Sequence, residues 1–255
     1  MHHPRDGLHI PRIAKLAMTQ LDVADLRDFY ATPLGQMVRR SLARRVRRRW
    51  PSVRGQTLIG LGYAAPYLGS FRTEARHLGA LMPLSQGALV WPQEGKRLSA
   101  LVEEDKLPLV DSSVDRLLAV HSLEAAERVS TLLREIWRVL SPEGRLLLVL
   151  PNRRGIWART DATPFGHGRP YSRGQIDRLL RDALFTPLHY EAALFMPPIG
   201  HRMMLRWSGA LERLGDRLTP VFAGVIIVEA SKELVAPTGK LARSRAIGGL
   251  VSVTR

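Results

Sequence analysis

Three stretches carry side chains whose types and spacing suit chemistry. Thr57 to Leu68, TLIGLGYAAPYL, reads as a buried strand entering a glycine turn, the place where many α/β proteins hold a nucleotide. His121 closes the apolar run LLAV, and an imidazole at the end of a strand could serve as a base near neutral pH or simply cap the helix that follows. The loop PNRRGIWARTDATPFGHGRPYS gathers Asn152, Arg153, Arg154, Trp157, Arg159, Phe165, His167, Arg169 and Tyr171. Arginines interleaved with aromatics suit an anionic or planar partner, and Gly155, Gly166 and Gly168 would let the loop fold over a pocket. The same composition also describes a lid that packs Trp157 and Phe165 on the sheet and leaves its arginines wet.

Strand-like and helix-like segments alternate around these stretches. Strands are expected at Thr57–Leu61, His77–Leu84, Leu98–Val102, Val114–Val120, Arg145–Leu150, Leu184–Leu194 and Phe222–Ala230. Arg145–Leu150 is apolar on both faces, as in the middle of a covered parallel sheet. Ala126, Val129, Leu133, Ile136 and Leu140 repeat at helical spacing, so a helix is expected from Leu123 to Leu140, stopped by SPEG. Ser172 and Gln175 have the form of a capping box and mark the start of another. A helical region from Asp22 to Trp50 comes first, and a Met-rich helical insertion, Gly200 to Leu218, precedes the last strand. The rhythm predicts an α/β protein with a doubly wound, Rossmann-like, mostly parallel sheet and helices on both faces. Its ligand belongs at the carboxyl ends of the strands, near the switch point.

With 255 residues, 45% of them hydrophobic, the chain can bury one substantial core. Three parts are expected: an Arg-rich helical extension over 1–50, an α/β domain over 51–235 and a basic flexible tail over 236–255. The net charge is +15, and nearly half of it lies in RRSLARRVRRR, where Arg39, Arg40, Arg44, Arg45, Arg47, Arg48 and Arg49 stand without an acid. Such a run fits RNA, an acidic protein or an anionic membrane surface; it equally fits a solvated helix face with Leu42, Val46 and Trp50 turned inward. Cysteine is absent, which removes thiolate metal sites and cysteine nucleophiles, and no metal site is expected. No apolar run approaches the roughly 20 residues that span a bilayer, and the first residues lack a signal-peptide pattern, so a cytoplasmic location is expected.

From about Thr57 to Glu229, and most strongly from Leu107 to Asn152, the chain resembles the class I S-adenosylmethionine-dependent methyltransferases. REIWRVLSPEGRLLLVLPN matches that family's R-E-x-x-R-V-L-x-P-G-G element, and LPLVDSSVDRLLAVHSLE matches its L-P-F-D-x-S-F-D strand. The resemblance implies S-adenosyl-L-methionine as cofactor, held at the turn containing Gly60, Gly62 and Ala64. Gly60 stands where the family carries an acid, Ala64 on the second glycine and Pro66 on the third. Ser85 and Gln86 stand where an acid holds the ribose, and Glu103 or Asp105 where an acid faces the adenine. His121 falls among the cofactor and acceptor contacts, and the loop holding Asn152, Arg153, Arg154, Trp157, His167 and Tyr171 would cover the acceptor. The departures at 60 and 85–86 leave two alternatives beside a methyltransferase of unknown acceptor: an inactive scaffold of the same fold, or an RNA-binding or RNA-modifying protein using the basic helix.

Overall fold

The computed structural model describes residues 21–199 and 223–234; the expected helical insertion and basic tail lie outside them. The N-terminal helical region is two helices, α1 (Val23–Ala31) and α2 (Pro33–Arg49). The break has a local cause. Pro33 restricts Thr32 to extended backbone, and the Thr32 hydroxyl caps α2 by accepting from the Gly35 N–H. Next come β1 (Thr57–Gly62), a one-turn helix α3 (Ala65–Leu68) continued by a 3-10 turn, β2 (His77–Pro83), β3 (Ser99–Val102) and β4 (Val114–Val120). Then follow α4 (Val129–Val139), β5 (Leu140–Pro151), two 3-10 turns, α5 (Arg173–Asp182), β6 (Phe185–Ala193) and β7 (Val225–Lys232).

Besides the break at Thr32, and a last strand that runs Val225–Lys232 where Phe222–Ala230 is expected, two boundaries around α4 differ from the sequence reading. SPEG does not end a helix and begin a loop; it lies inside β5, which opens at Leu140 opposite Val114. The helix expected from Leu123 begins only at Val129, because Ser122 to Glu127 fold into a turn that seats buried polar groups beside His121.

The seven strands run in the order β3-β2-β1-β4-β5-β7-β6, parallel except β7, which pairs antiparallel with both β5 and β6. Order reverses between β1 and β4, which makes their carboxyl ends the switch point. On one face, α1, α2 and α3 pack Leu26, Leu42, Val46 and Leu68 against Leu58, Leu118 and Leu147. On the other, α4 and α5 pack Leu133, Ile136, Ile176 and Leu180 against Leu117, Leu146 and Leu148. Each of these leucines and isoleucines, withdrawn from water, contributes roughly 1.5–3 kcal/mol.

Candidate active site at the switch point

β1 ends at Gly62, whose φ of 71° is open to glycine and strained for any other residue. A Cβ there would lie 2.4 Å from the Val120 carbonyl oxygen and 3.0 Å from the Ser122 Cβ. The turn after β1 is therefore pressed onto the end of β4, and the Tyr63 N–H donates to the Val120 carbonyl at 2.8 Å. Gly60 serves packing of a different kind, since a Cβ on it would meet Ala64 and Leu68 at 2.7 and 2.8 Å. Ala64 is fully buried beneath α3.

His121 follows β4 with φ of 49°, an uncommon backbone state that sites of function concentrate. It is 3% exposed and engaged at both ring nitrogens. Nε2 lies 2.9 Å from the Tyr30 hydroxyl of α1, and Nδ1 lies 3.2 Å from Glu124 Oε1. The Tyr67 hydroxyl donates in turn to Tyr30 at 3.0 Å. One assignment satisfies the whole chain: Tyr67 donates to Tyr30, Tyr30 to Nε2, and Nδ1–H to the Glu124 carboxylate. Burial raises both tyrosines above the ordinary phenol value, so they remain donors. Glu124 Oε2 and the Ser122 hydroxyl are buried without a partner beside this chain.

Aromatic rings line the same place. Tyr30 stacks on Tyr63 with centroids 5.2 Å apart, touches His121 at 5.9 Å, and His121 meets Phe165 at 4.8 Å. Phe165 stands edge-on to Trp157. Tyr30 had no local signal in the sequence: it is 91 residues from His121 and reaches it only through the packing of α1.

The remaining candidate residues fall into separate groups. Gln86 is buried with its side-chain amide N–H donating to the His121 backbone carbonyl, and its backbone carbonyl accepts from the Val23 N–H. Ser85, Glu103 and Asp105 instead line a cavity of about 230 Å³ at the carboxyl ends of β2 and β3. Asp105 pairs there with Arg128 at 2.7 Å. Glu104, also lining it, has an unpartnered buried oxygen, and burial pushes its carboxyl above the usual range, with Glu127 and Asp105 adding to the effect.

In the loop, Asn152 ties β5 to the Ala223 carbonyl, Trp157 is fully buried and donates to the Met196 carbonyl, and Tyr171 donates to the Leu123 carbonyl. His167 contacts the Asp161 carbonyl at 3.0 Å. The aromatics of the loop are thus cover packed on the sheet, while Arg153 and Arg154 stay exposed. On α2, Arg45 and Arg48 pair with Glu191, Arg47 with Glu74 and Arg49 with Glu229. Arg39, Arg40 and Arg44 are exposed and make no ion pair with described residues.

Residues 82–148 match the model of the methyltransferase domain. The match spans about a quarter of the chain, and the sheet around it has the fold of the class I S-adenosylmethionine-dependent methyltransferases. Among solved structures the chain is similar to a methyltransferase from Thermotoga maritima, a possible histamine N-methyltransferase, with TM-score 0.61, 15% identity and coverage of 83% of this chain and 96% of that one. It is similar also to the 1,6-didemethyltoxoflavin-N1-methyltransferase of Burkholderia thailandensis, solved with bound 1,6-didemethyltoxoflavin and S-adenosylhomocysteine (TM-score 0.51, 15% identity, 83% and 82% covered). The cyclase SpnF shares the methyltransferase fold as well, at TM-score 0.54 and 22% identity over 76% of this chain and 80% of its own. One fold therefore carries more than one chemistry, and activity has to be argued from the site. No curated protein sequence matches the chain.

Proposed function

We propose that the protein is an S-adenosylmethionine-dependent methyltransferase whose acceptor loses its proton to His121. The observation that carries this reading is the direct packing of the Gly62 turn on Val120–Ser122, which joins the turn expected to hold the donor to a buried imidazole at the switch point. The orphaned Glu104 oxygen and the Ser85 hydroxyl beside Glu103 give the 230 Å³ cavity the polar groups an adenosine would need. Ser85 and Glu103 would hold that end, and the Gly62–Ala64 backbone the methionine end. Bound there, the cofactor supplies an electrophilic methyl group.

The rest of the chemistry belongs to this chain. Glu124 fixes the Nδ1–H tautomer and leaves a lone pair on Nε2, where a proton can be held while the carboxylate stabilises the imidazolium. Tyr30 occupies that lone pair, so its hydroxyl has to turn away or relay the proton. The rings of Tyr63, Phe165 and Trp157 exclude water. Four of the seven α2 arginines are matched by the protein's own acids, which weakens the reading of that helix as an RNA surface.

Calorimetric titration with S-adenosylmethionine and S-adenosylhomocysteine tests this reading. Expected is saturable binding that Glu103→Lys, an exposed substitution, weakens at least ten-fold with the melting temperature unchanged. A folded wild type that binds neither compound would make the inactive scaffold the better account.

A further inference from the structure

A second cleft, about 510 Å³, opens between the first turn of α5 and the β6–β7 pair, and it shares no lining residue with the Glu103 cavity. That volume lies within the range of small-molecule sites. Ala192 and Ile226 make it apolar on the sheet side, and Tyr190 adds an aromatic wall. Arg154 and Arg173 supply two guanidinium groups, neither of which makes an ion pair with a described residue. The Arg173 guanidinium stacks on the Tyr190 ring, 4.3 Å from its centroid, which holds the planar fork in a fixed direction. Glu191 also lines the cleft, but its carboxylate is already held by Arg45 at 2.9 Å and by Arg48. The Asp177 carboxylate, which accepts from the Tyr190 hydroxyl, feels Arg173 but is itself paired with Arg181, so two cations outside any described ion pair, an apolar floor and a ring make a definite chemical combination.

We propose that this cleft binds a small organic anion, a carboxylate or phosphate carried on a short apolar body. The anionic head meets Arg154 and Arg173 in charge-assisted hydrogen bonds, and the body lies on Ala192, Ile226 and the Tyr190 ring. The start of α5 reinforces the choice. Ser172 accepts from the Gln175 N–H, which leaves the first-turn N–H groups of Arg173 and Gly174 without helical partners, and a Cβ on Gly174 would meet nothing within 4 Å. The site is independent of the methyl-transfer reading and stands if that reading fails.

The test is a nuclear magnetic resonance titration of the isotope-labelled full chain with phenyl phosphate and with benzoate, and with benzyl alcohol as the neutral control. Expected are saturable shifts at Arg173, Gly174 and Ala192 with at least one anion and none with the alcohol; whichever anion binds tighter identifies the head group. Arg154→Gln should weaken binding about ten-fold, the loss of one charge-assisted contact. Gly174→Asp places a carboxylate in the open space, where it should abolish binding without lowering the melting temperature, because an acid in the first turn of a helix is favourable. Equal shifts from benzyl alcohol, anion binding indifferent to both substitutions, or no shifts at all would overturn the proposal.

Discussion

At the scale of single residues, the site is defined by what its buried polar atoms have found. All five tyrosines of the chain, Tyr30, Tyr63, Tyr67, Tyr171 and Tyr190, have phenols raised by burial, Tyr171 and Tyr190 to about 12. The unfolded chain ionises its tyrosines near pH 10. The folded state keeps its protons longer, so this contribution to stability is complete below pH 10 and is lost as pH rises above it. Phenolate absorbance should therefore stay low at pH 10 and rise together with the loss of far-ultraviolet helical signal. Early ionisation of Tyr30 or Tyr67 in a still folded protein would show that the chain to His121 is open to water. The sequence made His121 and the glycine turn visible, because strand ends and glycines have local signatures. It gave no hint of Tyr30 or Glu124 as partners of that imidazole. Tyr30 arrives from a helix distant in the chain, and the apolar spacing places Glu124 in the first turn of a helix that starts only at Val129.

At the scale of elements, α2 illustrates how charge misleads when it is counted along the chain. Its arginine run contains no acid, yet Glu74, Glu191 and Glu229 come to it from a loop and two strands. Glu229 is the most buried of the three, 6% exposed in its side chain, and accepts from both Arg49 and the Trp50 indole, the latter at 2.9 Å. Glu229→Ala leaves a partly buried guanidinium and a buried indole N–H without acceptors and should cost about 3 kcal/mol in chemical denaturation. Arg40→Ala, on the exposed face, should change stability by less than about 0.5 kcal/mol. Equal effects would mean that the ion pairs on α2 are ornamental. The central strands were legible because burial on both faces writes a continuous apolar run. Helix boundaries at Thr32 and Val129 were not, since a capping side chain in one place and a buried turn in the other decide them.

At the scale of the molecule, α1 lies across the carboxyl edge of the sheet, tied by the Val23 N–H to Gln86 and by Tyr30 to His121. Gln86, Tyr63 and His121 are all buried under this arrangement. Tyr30→Ala removes the ring that stacks on Tyr63 and the donor to His121 together. Hydrogen exchange followed by mass spectrometry should then show α1 losing protection while β4 and β5 keep theirs. Uniform loss across the sheet would mean that α1 is part of the cooperative core and no separate cover. The doubly wound architecture itself was readable from the alternation of segments, since each buried strand needs a helix on either face.

The place of β7 between β5 and β6 has a consequence for the nascent chain. During synthesis the arginines of α2 leave the ribosome long before Glu229 exists to meet Arg49, and β6 emerges with no neighbouring strand to join. Until β7 fills the gap, β5 and β6 each present an open sheet edge and Arg49 lacks its acceptor, although Glu74 and Glu191 have already been made to meet Arg47, Arg45 and Arg48. Closure of the sheet and the pairing of Arg49 thus both wait on the same eight residues, Val225–Lys232.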